Sequence, residues 1–333
     1  MQNEPQSHPQ EHTFEFTADG WEYFRIWIVN LMLTVVTLGI YSAWAKVRRL
    51  QYFYRNTRLA DAGFEYHGTP MAILKGRLIG AGLLLVYVVA GKLDPKAGIA
   101  IALLIGAVMP WLIVRSLRFK LHNSSYRGLR FTFTGGDRDA YRVFLLFPIL
   151  TGLTLYLLAP FTHQRIKQYQ HNNSKFGETS FNFDASVGSF YYIYMKVIGA
   201  ALVAIILFVL MRNNESSYAW IVIGPVFILF ILAYLAIALP NLIWSSTGLG
   251  EHKFVSRMEV RPYLWISLTN ILGVVFTLGL FIPFADVRML RYKLECMGLL
   301  VQGDLAEFVA GQGLAISATG EEVAEMFDVD ISL

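Results

Sequence analysis

The chain has 333 residues, of which 55% are hydrophobic and only 16% charged, against about 45–50% and 25% in soluble domains. That balance excludes an ordinary soluble domain, and a net charge of +4 on so apolar a chain does not call for nucleic acid. Cys296 is the only cysteine, so an intramolecular disulfide is excluded too.

Residues 1–20 are polar and carry no basic stretch ahead of an apolar core. No cleavable signal peptide is expected, and the first apolar segment should remain in the mature protein. A short alternation, FEF at 14–16, precedes the charge-free run 26–45, about 30 Å if helical. Inside that run stands TLG at 37–39, and a basic segment follows directly, SAWAKVRR. Gly weakens a helix by roughly 1 kcal/mol. One apolar helix is therefore expected to stop near 38–41 and a second to start near Ala43. On the second helix Arg48, Tyr52 and Asn56 fall at i, i+4 and i+8, on one face. They are candidates for a polar face or for lipid headgroup contacts. A second alternation, FEY at 64–66, leads into apolar helices near 71–91 and 97–116. Lys75 and Arg77 enter the first of these as candidate intramembrane charges; the simpler reading is that both snorkel.

The pattern then returns. Residues 131–183 lie over 14–66 without a gap, with 13 identities in 53 positions, among them Phe131, Thr154, Leu155, Arg165, Tyr169 and Asn173. Pro160 stands at the place of Ala43, and Pro suits the first turn of a new helix. Arg165, Tyr169 and Asn173 repeat the candidate face. Apolar helices follow near 190–211 and 218–243, with Trp220 and Trp244 placed like an interfacial belt. A partial third copy, offset by 240, brings Phe254, Thr277, Leu278, Gly279, Pro283, Arg288 and Tyr292. Residues 304–333 carry seven acids and no Lys or Arg; this segment is either a solvated appendage or a dock for the basic loops.

The expected fold is thus an all-α membrane protein. It is built of internal repeats of a broken apolar helix, a basic amphipathic helix and a helix pair, with short β segments flanking the broken helices. The division is a polar tail 1–13, membrane repeats 14–122 and 123–246, a partial repeat 247–297, and an acidic tail 298–333.

Two topologies compete. If all seven apolar segments span, the loop Lys and Arg divide 15 to 8 between the sides, and the two full units are inverted, as in many transporters. If each broken segment dips and returns, they divide 20 to 3, with only Lys92, Lys96 and Arg212 on the far side. The positive-inside rule prefers the dip, with the loops cytoplasmic. It also predicts that Phe14–Phe16 approaches Phe64–Tyr66, and Phe131–Phe133 approaches Phe181–Phe183, as paired strands.

The segments TLGIYSAWAKVR, FEYHGTP, SYRGLRFTFTGG and GEEVAEMFDVD resemble the YjgN family of bacterial inner-membrane proteins over nearly the whole chain. The resemblance implies a multi-pass inner-membrane protein and supplies no catalytic or binding residues. No nucleotide loop, zinc motif or nucleophile elbow stands in the sequence. No enzyme activity, cofactor or metal is therefore expected. Membrane lipids are the expected partners, nucleic acid is not, and substrate and oligomeric state stay open. The functional expectation is a transporter or channel-like protein, with a lipid-binding or envelope scaffold protein as the alternative.

Overall fold

The computed structural model describes residues 10–212 and 219–319. One order of elements runs through it five times: a strand, an outgoing helix, a returning helix and a strand. The first unit is β1 (Gln10–Phe16), α1 (Gly20–Val36), α2 (Ser42–Arg55) and β2 (Thr57–Leu59). The second is β3 (Ala62–Tyr66), α3 (Pro70–Leu93), α4 (Pro95–His122) and β4 (Ser124–Tyr126). In the third, β5 (Leu129–Phe133) leads into α5 (Asp137–Tyr141), a π-helical turn at Arg142–Leu146, and α6 (Phe147–Leu153). There α7 (Ala159–Asn172) returns to β6 (Ser174–Phe176). The fourth is β7 (Thr179–Phe183), α8 (Val187–Arg212), α9 (Ala219–Ser245) and β8 (Thr247–Leu249). The fifth is β9 (His252–Ser256), α10 (Val260–Phe276), α11 (Ile282–Glu295) and β10 (Met297–Val301), after which α12 (Leu305–Thr319) follows.

The expectation of an all-α fold is overturned. The ten strands close into one antiparallel barrel in the order β1-β10-β9-β8-β7-β6-β5-β4-β3-β2. The short alternations at 14–16, 64–66, 131–133 and 181–183 are strands, but each strand of the ring pairs with one strand of its own unit and one of a neighbouring unit, so only the whole set closes. Four two-residue turns join neighbouring strands within the barrel. Ala60 and Asp61, and likewise Arg127 and Gly128, have positive φ at both turn positions; Gly177 and Gly250 have it at the first only. Those are the primed turns whose twist suits a hairpin. β1 closes the ring by pairing Gln10 with Val301 of β10 and Phe14 with Leu59 of β2.

At the other end of the barrel every strand feeds a helix or receives one. The same backbone bond locks each junction. Thr17, His67, Thr134, Asp184 and Arg257 donate N–H to the carbonyls of Asn56, Asn123, Asn173, Ser246 and Cys296 respectively, at 2.8–2.9 Å. Sequence neighbours among the helices pack side by side, and α11 packs on α1, so the helices form a ring above the barrel. Trp21 lies edge-on to Phe284 at 5.0 Å across that last contact, and beside it Arg49 of α2 pairs with Asp286 of α11 at 3.1 Å.

The helical hairpins come in two depths. Among the described residues four helices are long and apolar enough to cross a membrane: Pro70–Leu93, Pro95–His122, Val187–Leu210 and Gly224–Ser245. The other three hairpins break early. α1 and α10 have 17 residues each, about 25 Å at 1.5 Å per residue. Their breaks share one geometry. Leu38 N–H reaches Val35 O at 3.1 Å and Gly39 N–H reaches Thr34 O at 2.8 Å; Leu155 with Tyr156, and Leu278 with Gly279, repeat both bonds. This is the Schellman ending, which needs a left-handed residue just past the helix. Here leucine takes that place, with φ of 50, 50 and 51°, against a cost of about 1–2 kcal/mol. The new helices start at Ser42, Ala159 and Ile282, as the sequence predicts.

Both limbs of each broken hairpin therefore end on the same rim, which overturns the seven-span topology. Phe14 and Phe64 lie 6.2 Å apart between ring centroids. They are not direct partners, however. β2 runs between β1 and β3, and β6 between β5 and β7. The acidic stretch at 320–333 lies outside the described residues.

Candidate functional site

Alternation sends every second barrel residue inward, and the register stacks the inward residues in two layers. The first consists of five cross-strand pairs: Phe14–Leu59, Phe64–Tyr126, Phe131–Phe176, Phe181–Leu249 and Phe254–Leu299. The aromatic members touch in a closed circuit of seven rings. It runs Phe14, Phe64, Tyr126, Phe176, Phe131, Phe181, Phe254 and back to Phe14, with neighbouring centroids 4.8–6.5 Å apart. The second layer lies one step nearer the helices. There Thr57, Ser124, Ser174 and Thr247 each turn a hydroxyl back onto the carbonyl four residues earlier, at 2.7–2.9 Å. These bonds to the helix ends take up the hydroxyl protons, although Thr57 and Ser124 also line the lumen.

These layers enclose a cavity of about 410 Å³, at the lower end of the ~300–1,000 Å³ common for small-molecule sites. At the turn end α12 covers it. Leu305 and Val309 are buried there, Phe308 stacks on Phe176, and Gln312 accepts from the N–H of Glu178 at 2.9 Å and of Thr179 at 3.2 Å. His252 lies beneath α12, with Phe308 edge-on at 4.5 Å, and its Nδ1 accepts the Gln302 N–H at 3.2 Å. Burial pushes its pKa down, opposed by Glu251. At the membrane end the cavity reaches the last turns of the returning helices, where Tyr54, Leu121, Trp244 and Leu294 line it. Each stands two residues before its helix cap; His171 holds the same place on α7. Among the described residues that line the cavity Lys120 alone is charged, beside the hydrogen bond between the Ser124 and Tyr54 hydroxyls at 3.2 Å.

A family model described as a bacterial protein of unknown function, DUF898, matches residues 11–326. The chain belongs to the DUF898 family. Among curated relatives, the inner membrane protein YjgN of Salmonella typhimurium is 25% identical over 88% of this chain and 89% of its own length. YjgN of Escherichia coli K12 is 29% identical over 43% of this chain and 36% of its own. No solved structure matches. With its four membrane-length apolar helices, this DUF898 protein is a multi-pass protein of the bacterial inner membrane, as the resemblance to YjgN implies.

The polar face expected on the basic helices is largely structural, and its three copies lie on separate helices. Tyr52 is buried; its hydroxyl donates to Asp19 O and accepts from Asp19 N–H, both at 3.0 Å. Tyr169 donates to Gly136 O at 3.0 Å, and Tyr292 to Glu259 O at 2.8 Å. Each tyrosine thus pins a returning helix to the start of its outgoing partner. Asn56 and Asn173 cap their own helices, donating to the carbonyls of Tyr52 and Tyr169 at 2.8 and 2.7 Å. Arg48 lies over Tyr41 and Arg165 over Phe161, while Arg288 donates to Asn270 Oδ1 at 2.8 Å. Lys75 is exposed, and Arg77 donates to Ser42 Oγ, tying α3 to the broken hairpin beside it. The sequence reading missed the chamber itself. Its signal was present in the first Phe of FEF, FEY, FTF and FNF, which with Phe254 makes half of the inner layer.

Proposed function

We propose that this protein binds lipid, and that the barrel chamber receives a hydrocarbon chain from the inner leaflet of the membrane beside it. The observation that carries this reading is the closed circuit of aromatic rings, covered by α12 at one end and reaching the helix ends at the other. A path for polar solutes would need hydrophilic groups along the barrel axis, where this wall is apolar. The reading is one of binding without catalysis, and it favours a lipid-binding protein over a transporter or channel. The fivefold order of strands and helices further supports internal duplication as the origin of the chain. The barrel lies in the cytoplasm in this reading, since that places 20 loop cations inside and leaves Lys92, Lys96 and Arg212 outside. The test is native mass spectrometry of the protein released from native membranes, with Phe131→Asp as the comparison. Wild type should retain one acyl-chain ligand that the variant has lost. A ligand-free wild type that also fails to take up cis-parinaric acid would reject the reading.

A further inference from the structure

The inference that follows rests on the chamber being a chain-binding site and concerns the other end of the ligand. We propose that Lys120 and Lys167 form a headgroup site for a single-chain anionic amphiphile, an acyl chain with an acidic head, whose tail fills the barrel.

Position is the first argument. Lys120 lines the chamber where α4 enters β4. Lys167 lies on α7 four residues before His171, one turn farther out on the same face. His171 in turn contacts Trp244 of the chamber wall, with centroids 5.7 Å apart. In the other two broken-hairpin units the position of Lys167 is held by Leu50 and Leu290. A cation replaces an apolar side chain there only in the unit next to Lys120.

Charge is the second. Among the described residues neither lysine forms an ion pair with a carboxylate; Lys167 donates only to Gln170 Oε1, at 3.3 Å. Burial, and then the charge of Lys120, hold the Lys167 amine below its ordinary pKa. Lys120 is exposed at the chamber mouth and Lys167 is half-buried, and two cations so placed repel each other until an anion joins them. An acidic head supplies that anion through charge-assisted hydrogen bonds.

Size and energetics complete it. A cavity of about 410 Å³ suits one chain rather than the two of a phospholipid. Moving a chain from the bilayer core into an apolar chamber changes its surroundings little, because lipid tails are as apolar as the wall. Contacts at the head then decide which amphiphile occupies the site.

The test uses the full chain in phosphatidylcholine nanodiscs with cis-parinaric acid as fluorescent probe. Oleate should displace the probe at least tenfold better than oleyl alcohol. The double variant Lys120→Gln/Lys167→Gln should lose that preference, while Lys120→Arg/Lys167→Arg and the remote Lys75→Gln keep it. Equal displacement by oleate and oleyl alcohol in wild type would overturn the headgroup site and leave the chain-binding reading standing. So would a preference that survives in the double glutamine variant. A wild type that never takes up the probe would remove both.

Discussion

At the scale of single residues, two asparagines at equivalent places have opposite roles. Asn30 and Asn270 are both buried on outgoing helices. Asn270 Oδ1 accepts from Arg288 at 2.8 Å, whereas Asn30 Oδ1 is buried without a partner. An unmet buried acceptor costs about 1–3 kcal/mol. Asn30→Leu should therefore leave stability unchanged or raise it by about 1 kcal/mol. Asn270→Leu should lower it by about 1–3 kcal/mol, since it removes a charge-assisted bond and leaves Arg288 only Thr269 Oγ1, at 3.1 Å. Thermal unfolding of the two variants in one detergent compares them directly. Tyr126 gives a second case. Its hydroxyl donates to Leu59 O at 2.7 Å inside the barrel, so Tyr126→Phe should cost about 1–2 kcal/mol while preserving the aromatic circuit.

At the scale of elements, the broken hairpins expose leucine at their tips. Leu38, Leu155 and Leu278 are 94%, 86% and 95% exposed, and each sits in the left-handed conformation that glycine usually takes. Exposure of this kind in a membrane protein marks contact with hydrocarbon. Because Cys296 is the only cysteine, a Cys296→Ser background accepts a spin label at position 38. Its collision rate should be high with oxygen and low with a water-soluble nickel chelate, and the reverse would refute a buried tip. The cover helix α12 has its own dependence, on pH. His252 is neutral in the docked state, with a pKa below the ordinary 6.5, so the undocked state binds more protons as pH falls. Docking is fully present above about pH 6.5 and weakens below it. Hydrogen exchange of residues 305–315 should accelerate from pH 7.5 to pH 5, and His252→Gln should flatten that response.

At the scale of the whole molecule, closure and sidedness are the properties to check. Thr13 lies opposite Gly298 across the joint between β1 and β10. Cysteines at those two places, in the Cys296→Ser background, should cross-link within one chain; an open sheet would leave both thiols free. For sidedness, Asp61→Cys at a barrel turn should resist a membrane-impermeant maleimide in intact spheroplasts, and Asp94→Cys at the end of a long hairpin should react. Labelling in the opposite order would invert the orientation.

What the chain determines locally was legible in the sequence alone. Hydrocarbon-length runs, the Thr-Leu pair before each break, and Pro160 and Pro283 at new helix starts act through propensity and hydropathy, which neighbouring residues carry by themselves. The tyrosines and capping asparagines were visible as a spaced face, yet their roles were not. Spacing places Tyr52, Tyr169 and Tyr292 on a helix side without saying that Asp19, Gly136 and Glu259 wait there. The barrel needed tertiary structure altogether. A strand such as Thr57–Leu59 pairs with β1 of its own unit on one side and with β3 of the next unit on the other, and β1 in turn needs β10 from the far end of the chain, so the backbone groups of all ten segments are satisfied only when they meet. The chamber follows from that closure. Seven aromatic residues scattered from position 14 to 254 form one wall because antiparallel register brings each pair to the same height, and hydrophobic periodicity along the chain contains no term for that.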